Sequence, residues 1–470
     1  MSADYLYIIA LLFGFYAAWN IGANDVANAM GTSVGSKALT IKQAVILAAI
    51  FEFLGAVLFG ANVSETLEKG IVNPQIFAHH PNVFIHGMLA SLLATGLWLQ
   101  FASYYGLPVS TTHSIVGAIV GFGSVVGGIH CVEWNHVGQI AISWIASPLL
   151  GAGASYLIFL LLRQHIFYVP SPLVATKRLI PWIAGLVVLV LSLSMLYRVI
   201  APSSHTAVKM LISFALAVII GLATYFFTRK IRPKEVVAST PPYDPQLLLD
   251  VEKAKKQLLK AKETLTGEER FRINDIVQDI DSFSFAIKLK DHPERRNTEF
   301  FWVEKIFGYL QISSACLMAF AHGSNDVSNA IGPMAAIIST LKQHYYFSQS
   351  SAFPIWALVL GGAGIVLGLA TWGWRVIETI GRRITELTPS RGFSAEFGAA
   401  LVILLASRMG FPISTTHTLV GSVFGVGLAG GLSSLNAKTI RDILLSWFVT
   451  IPAGALLSII CYYILSAILP

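Results

Sequence analysis

Two polar blocks occur twice in this chain, at a nearly fixed offset, and that repetition limits what it can fold into. Trp19-Asn20-Ile21-Gly22-Ala23-Asn24-Asp25-Val26-Ala27-Asn28-Ala29 returns as Phe320-Ala321-His322-Gly323-Ser324-Asn325-Asp326-Val327-Ser328-Asn329-Ala330. Pro108-Val109-Ser110-Thr111-Thr112-His113 returns as Pro412-Ile413-Ser414-Thr415-Thr416-His417, and Ser143-Trp144 with Pro148 is echoed by Ser446-Trp447 with Pro452. Asn24 and Asn325 are 301 residues apart, Pro108 and Pro412 304, and Trp144 and Trp447 303. Landmarks that keep one offset mark an internal duplication. The repeated blocks are polar and interrupt apolar segments. Such breaks in corresponding positions of two halves point to the substrate site of a secondary transporter.

Hydrophobic residues make up 55% of the 470-residue chain and charged residues 12%, about half the charged share of a soluble domain. Of its 57 formal charges, 28 fall within residues 229–300. The remainder reads as an all-α, polytopic membrane protein. The net charge of +7 is therefore a bias of membrane loops, and no nucleic-acid partner is expected. Cys131, Cys316 and Cys461 sit alone in apolar runs, without CxxC or metal-ligand spacing, and read as packing residues. The N-terminus lacks a basic region before its apolar run, so it reads as a first span.

Apolar segments fall near 5–23, 43–61, 84–102, 114–129, 138–162, 180–197 and 207–227, then near 303–321, 353–374, 394–409, 418–432 and 442–469. These are about 12 transmembrane segments. The short ones flanking the Pro-x-Ser-Thr-Thr-His blocks suit re-entrant hairpins, which leave the parity unchanged. Five segments form repeat 1 (1–164), two link (165–228), a hydrophilic loop follows (229–300), and five form repeat 2 (301–470). Seven segments before the loop is an odd number, so the second repeat starts on the opposite side and is inverted. Basic residues agree. One side collects the loop with Lys37, Lys42, Arg163, Lys177, Arg178, Arg375, Arg382, Arg383, Arg391, Lys438 and Arg441. The other holds only Lys69, Arg198, Lys209, Lys342 and Arg408. The positive-inside rule then puts the loop in the cytoplasm and both termini outside, in a plasma or inner membrane. Within the loop, Gln246–Leu265 carries apolar residues at helical spacing among lysines and acids, which suits a solvated helix.

A membrane-embedded Asp costs on the order of 2.5–3.5 kcal/mol even on a lenient scale, and this chain carries that cost twice, at Asp25 and Asp326. In a helix Asn24 and Asn28 share a face and Asp25 meets Asn28. The carboxylate and amide oxygens so gathered suit a hard cation such as Na⁺. Polar residues in membranes also serve as interhelical glue, but an Asn-Asp-x-x-Asn set in both halves favours a site. In the second block a proline ends what precedes it, and Ser-Thr-Thr opens a helix. Hydroxyls and free N–H groups at that start suit an anion. His113 and His417 read as orienting groups. Neither block contains Lys or Arg, so a multiply charged anion beside two carboxylates needs cations to enter with it. Hydrogen phosphate has a P–OH proton that an Asp can accept, which sulfate lacks. Carboxylates at the anion site therefore favour phosphate.

The two Gly-x-Asn-Asp-Val-x-Asn-Ala blocks resemble the signature of the inorganic phosphate transporter (PiT) family. Phe51-Glu52, Val63-Ser64-Glu65-Thr66, Ser394-Ala395-Glu396 and Ser446-Trp447-Phe448-Val449-Thr450 resemble it too, and the match spans both repeats. The fuller motif and the central loop look closer to the sodium-dependent branch. The resemblance implies a cation–phosphate symporter with inverted repeats, commonly a homodimer. By analogy, phosphate meets Asp25, Asn28, Ser110, Thr111 and Thr112 from one half and Asp326, Asn329, Ser414, Thr415 and Thr416 from the other. Na⁺ takes Asn24, Asp25, Asn325 and Asp326, while Glu52 and Glu396 match acidic positions implicated in coupling. A linear alignment sets Gly361 and Met88 opposite these two glutamates. No cofactor beyond co-transported Na⁺ is expected. The alternatives are a proton-coupled phosphate or sulfate permease of the same fold, and an intramembrane hydrolase. The hydrolase is disfavoured because nucleophilic catalysis needs one asymmetric triad, whereas here two equivalent half-sites stand.

Overall fold

The computed structural model describes residues 3–199, 206–231, 245–264, 268–290, 293–345, 354–374, 376–377, 388–430 and 437–469. The side chains of Lys69, Arg198, Lys438, Arg441, Ser446 and Trp447, and the residues Arg375, Arg382 and Arg383, lie outside that description. Among the described residues every regular element is helical. Repeat 1 holds α1 (Ala3–Gly35), α2 (Ile41–Lys69), α3 (Pro81–Tyr104), α4 (Thr111–Phe122) and α5 (Trp134–Leu162). Next come α6 (Pro172–Val199) and α7 (Thr206–Lys230), then the loop helices α8 (Pro245–Thr264) and α9 (Glu268–Lys290). Repeat 2 holds α10 (Pro293–Asp326), α11 (Ser328–Tyr345), α12 (Ile355–Thr371), α13 (Pro389–Met409), α14 (Thr415–Gly430) and α15 (Ala437–Ile468). Nine helices among the described residues are long and apolar enough to cross a membrane, and Thr111–Gly127 and Ile355–Thr371 are shorter apolar helices.

The short segments beside the repeated proline blocks turn back on themselves. Past α2, Asn73 N donates to Cys131 O at 3.1 Å, and Glu133 N donates to Ile71 O at 2.9 Å. The stretch before α3 is thereby tied to the stretch after α4, and α3–α4 is a hairpin based at the start of α5. The second hairpin, α13–α14, is held at its base by side-chain packing. Gly430 at the end of α14 lies against Arg391 in the first turn of α13 and against Phe159 near the end of α5. With 29 residues, α5 is about 43 Å long at 1.5 Å per residue. The two hairpins therefore enter from opposite ends of the bundle, and the repeats are inverted. Their tips meet: Thr112 Oγ1 donates to Ile413 O at 2.9 Å and Thr416 Oγ1 to Val109 O at 3.4 Å.

Glycines carry the packing between the repeats. A Cβ on Gly22 would stand 2.0 Å from Ile365 O, and one on Gly323 would stand 2.1 Å from Glu52 O. Likewise Gly117 faces Ile451 O at 2.6 Å and Gly421 faces Pro148 O at 2.2 Å. Helix α1 thus packs on α12 and α10 on α2, and each hairpin's second arm packs on the other repeat's last helix. Helices this close cannot tolerate a side chain between them, a device of small residues common to membrane bundles. The matched pairs also fix the correspondence of the halves. Glu52 is equivalent to Ile365, and Glu396, through the Ser103/Ser407 match described below, to Leu92. Gly361 and Met88 are not their counterparts. A longer connection before α12 than before α2 shifts that helix pair to an offset of 313 in place of 301.

The chain ends gather at one end of the bundle. Helix α1 runs parallel to α3, with Tyr16 donating to Gln100 and Asn24 bonding Ser103. Helix α15 lays Tyr462 against Phe122 at the base of the first hairpin, with centroids 5.5 Å apart. At the other end, Lys177 Nζ near the start of α6 donates to Ile231 O just past α7 at 2.5 Å. From there the chain enters α8 and α9, an antiparallel pair bridged by Lys255–Asp281 at 2.5 Å and Lys262–Asn274 at 2.7 Å. A chain with Cys131, Cys316 and Cys461 replaced is therefore expected to label from opposite sides of the membrane at Leu469→Cys and Lys255→Cys. Labelling of both by one impermeant thiol reagent added to one side would contradict the inverted arrangement.

Candidate functional site

The hairpin tips and the polar centres of α1 and α10 converge in the protein interior. Ser110 caps α4 by accepting from His113 N, and Ser414 accepts from His417 N, each at 3.2 Å. The N–H groups of Thr111 and Thr112, and of Thr415 and Thr416, belong to first turns that have no intrahelical acceptor for them. Two helix starts, each with the partial positive charge of its dipole, therefore face one another across the pseudo-two-fold axis. Behind them the rings of His113 and His417 pack edge-on with centroids 4.3 Å apart, and Trp144 covers His113 at 3.9 Å. This is a packing arrangement that holds the tips together.

Each polar helix centre reaches across to the other repeat's hairpin. Asn28 Nδ2 donates to Asp25 Oδ1 at 3.1 Å and to Thr416 Oγ1 at 2.7 Å. Asn329 Nδ2 donates to Thr111 Oγ1 at 3.1 Å and Thr112 Oγ1 at 3.2 Å. Thr415 Oγ1 donates to Asp326 Oδ2 at 2.8 Å. Asp25, Asn28, Asp326, Asn329 and the six hairpin Ser/Thr residues are all brought together, and all are buried. Three of their oxygens, Asp25 Oδ2, Asp326 Oδ1 and Asn329 Oδ1, accept no hydrogen bond from the described residues. Buried anionic oxygens are costly without a partner. That donor set suits a cation.

Asn24 and Asn325 turn away from these groups. Asn24 Nδ2 donates to Ser103 Oγ at 3.0 Å and Leu107 O at 3.1 Å. Asn325 Nδ2 repeats the pattern on Ser407 Oγ and Phe411 O, both at 3.1 Å. Each amide thus pins the turn that leads into a hairpin tip. A family model described as the phosphate transporter family matches residues 21–458, which include both half-sites and both hairpins. The chain belongs to the phosphate transporter family. A relative from Chlamydia pneumoniae is 46% identical over 467 residues, covering 98% of this chain and 99% of its own. The inorganic phosphate transporter 2-1, chloroplastic, of Arabidopsis thaliana is 45% identical over 98% of this chain and 72% of its own length. A solved structure titled the sodium-dependent phosphate transporter superposes with a TM-score of 0.78 at 34% identity, covering 99% of this chain and 100% of that one.

This transporter's site also holds a residue that the sequence reading passed over. His322 Nε2 lies 2.9 Å from Asp326 Oδ2 and 3.9 Å from Asp25 Oδ2, and its Nδ1 lies 3.3 Å from Glu52 Oε1. Ligand atoms of Asp25, His322 and Asp326 all fall within 4.8 Å of one another. The signal was present in the duplication itself, because His322 stands where the first copy has the apolar Ile21. Glu52 breaks the symmetry at the same point, facing His322 where the other half has Ile365. Glu396 lies in a separate polar nest. Its Oε1 accepts from Thr32, from Ser33 at 2.6 Å and from Gln311 at 3.3 Å, and its Oε2 accepts from Ser314 at 2.6 Å. The equivalent positions in the other half are Pro333, Met334, Ala10 and Phe13 around Leu92, an apolar set. The transporter is two-fold in its hairpins and one-fold in its extra acids.

Proposed function

We propose that this phosphate-transporter-family chain imports inorganic phosphate by symport with Na⁺. The observation that carries the reading is the meeting of two half-sites, each with a helix start for the anion and a carboxylate–amide pair for a cation. In this reading the phosphate oxygens accept from the first-turn N–H groups of Ser110–Thr112 and Ser414–Thr416, the hydroxyls of Thr112, Thr415 and Thr416 hold the tips to each other and to Asp326, and the P–OH proton faces Asp25 or Asp326. A doubly charged anion beside two carboxylates is repelled at close range, so it settles only when cations occupy the unpartnered oxygens. That requirement is the coupling. Asp25 and Asp326 would bind the cation directly. Asn325 would contribute only its carbonyl oxygen, since its amide holds the hairpin turn, whereas the Asn24 carbonyl already accepts from Val109 N at 3.4 Å and serves that turn as well. The sodium-dependent transporter of similar fold supports the same ion. The basic 229–300 loop supports a cytoplasmic end for α8 and α9, with both termini outside.

One observation favours a second reading. His322, set between Glu52, Asp326 and Asp25, could carry a proton in place of a bound cation, which would make the chain a proton-coupled permease of the same fold. Proteoliposomes containing the purified chain separate the two. With Na⁺ coupling, an inward Na⁺ gradient concentrates phosphate without a pH gradient, and choline in place of Na⁺ lowers uptake to background. Uptake that persists in choline and collapses with a protonophore would transfer the coupling to His322 and Glu52. Failure to carry phosphate under either gradient would remove the phosphate assignment itself.

A further inference from the structure

A polar cavity of about 460 Å³ lies between the last third of α2, the first turn of α5 and the tip of the second hairpin, with Asn62, Glu65, Thr66, His136 and Arg408 in its walls. Since α5 begins at the base of the first hairpin, this cavity belongs to the end of the bundle that holds the chain termini. Two hydrogen bonds close its floor. Thr66 Oγ1 donates to Gly410 O at 2.7 Å, and Asn62 Nδ2 donates to Arg408 O at 3.4 Å. Gly410 ends α13 with φ +78°, a left-handed conformation that favours glycine. Ser414, the cap of the anion-facing helix, follows four residues later. The floor of the cavity is thus the same backbone that presents the central site.

The pseudo-two-fold axis supplies an internal comparison. Arg408 corresponds to Tyr104, at the same offset of 304 that relates Ser103 to Ser407 and Leu107 to Phe411. Tyr104 is 63% exposed and stacks edge-on against Tyr105 with centroids 5.2 Å apart. One hairpin tip therefore places an arginine in the wall of its vestibule, where the other has an aromatic pair. A guanidinium matches phosphate oxygens with paired donors and keeps its charge at every physiological pH. Glu65, in the same wall, opposes tight retention of the anion and attracts the accompanying cation.

We propose that Arg408 forms an entry subsite for hydrogen phosphate on the side of the chain termini. This inference rests on the phosphate reading of the central site. The anion is held above the Asn62–Thr66 clasp and passes to Ser414–Thr416 when that clasp opens. On the opposite side Tyr104 offers no such hold, so the device is directional.

The test uses full-length chain in proteoliposomes, with phosphate varied on one side at a time. Arg408→Gln is expected to raise KM for phosphate about tenfold from the termini side, the loss of one charge-assisted contact. KM from the other side and turnover at saturating phosphate stay within about twofold of wild type, and the ionic-strength dependence of KM flattens. Arg408→Lys restores most of the affinity. Tyr104→Arg lowers KM from the other side by about threefold, and it decides the matter should Arg408→Gln not assemble. Wild-type KM in Arg408→Gln, a loss of turnover at unchanged KM, or no effect of Tyr104→Arg would each overturn the subsite. A wild-type chain that carries no phosphate would instead overturn the central-site reading and the subsite with it.

Discussion

Asp25→Asn and Asp326→Asn are each expected to lower phosphate uptake by at least about a hundredfold, equivalent to roughly 2.8 kcal/mol at about 1.4 kcal/mol per tenfold change, while the protein still inserts. The amide keeps the size of the carboxylate and can still accept the hydrogen bond that Asn28 gives to Asp25 or that Thr415 gives to Asp326. It removes the negative charge on the oxygen that a cation needs. Insertion is not at risk, because an uncharged side chain at that depth is cheaper to bury than a carboxylate. The two variants differ in one respect. Asp326 faces His322 at 2.9 Å and Asp25 faces it at 3.9 Å, so Asp326→Asn also weakens the hold on the imidazole. A second replacement, His322→Ala, should therefore add less to Asp326→Asn than to Asp25→Asn, the coupling expected of residues in contact. Initial rates of labelled phosphate uptake, normalised to the protein recovered in the membrane, decide the point. A variant that inserts and transports at the wild-type rate excludes its aspartate from the site.

Much of this was readable before any coordinates. The offset of the two polar blocks revealed the duplication, and the odd number of spans before the loop implied inversion. Proline followed by Ser-Thr-Thr at the edge of a short apolar run foretold re-entrant hairpins, since backbone that leaves a helix at membrane depth must line a buried or wet cavity. Spacing also placed Asp25 against Asn28, a local i, i+3 contact. It failed for Asn24, whose side chain looks outward from that pair to Ser103 and Leu107, because partners some 80 residues away leave no mark on local periodicity. It failed for the counterparts of Glu52 and Glu396 because connections of unequal length between helices shift the offset. His322 was missed for a different reason. A duplication makes the shared residues conspicuous, whereas His322 matters because an imidazole stands where the other copy has the isoleucine Ile21.

The glycines of the inter-repeat contacts carry the largest expected effect on stability. A methyl group on Gly323 would stand 2.1 Å from Glu52 O, and one on Gly22 would stand 2.0 Å from Ile365 O. Both obstacles are backbone atoms, which no rotamer change removes, so α10 must part from α2, or α1 from α12. Overpacking of a well-filled interior typically costs about 1–3 kcal/mol and occasionally more. A clash of backbone against backbone belongs at the upper end, well beyond the roughly 0.8–1.0 kcal/mol by which alanine outranks glycine in a helix interior. Gly308 and Gly138 supply the control, since a Cβ on either meets nothing within 4 Å, and their alanine variants should be neutral or slightly stabilised. Gly22→Ala and Gly323→Ala are expected to lower the thermal midpoint in detergent markedly and to a similar degree, because the two contacts are related by the pseudo-two-fold axis. They should also depress transport in whatever protein remains folded. Gly22 lies three residues before Asp25, and Gly323 three before Asp326 and one after His322, so a displaced helix carries its half-site with it. A Gly323→Ala protein with the wild-type midpoint and uptake rate would mean that the repeats are not packed through these contacts.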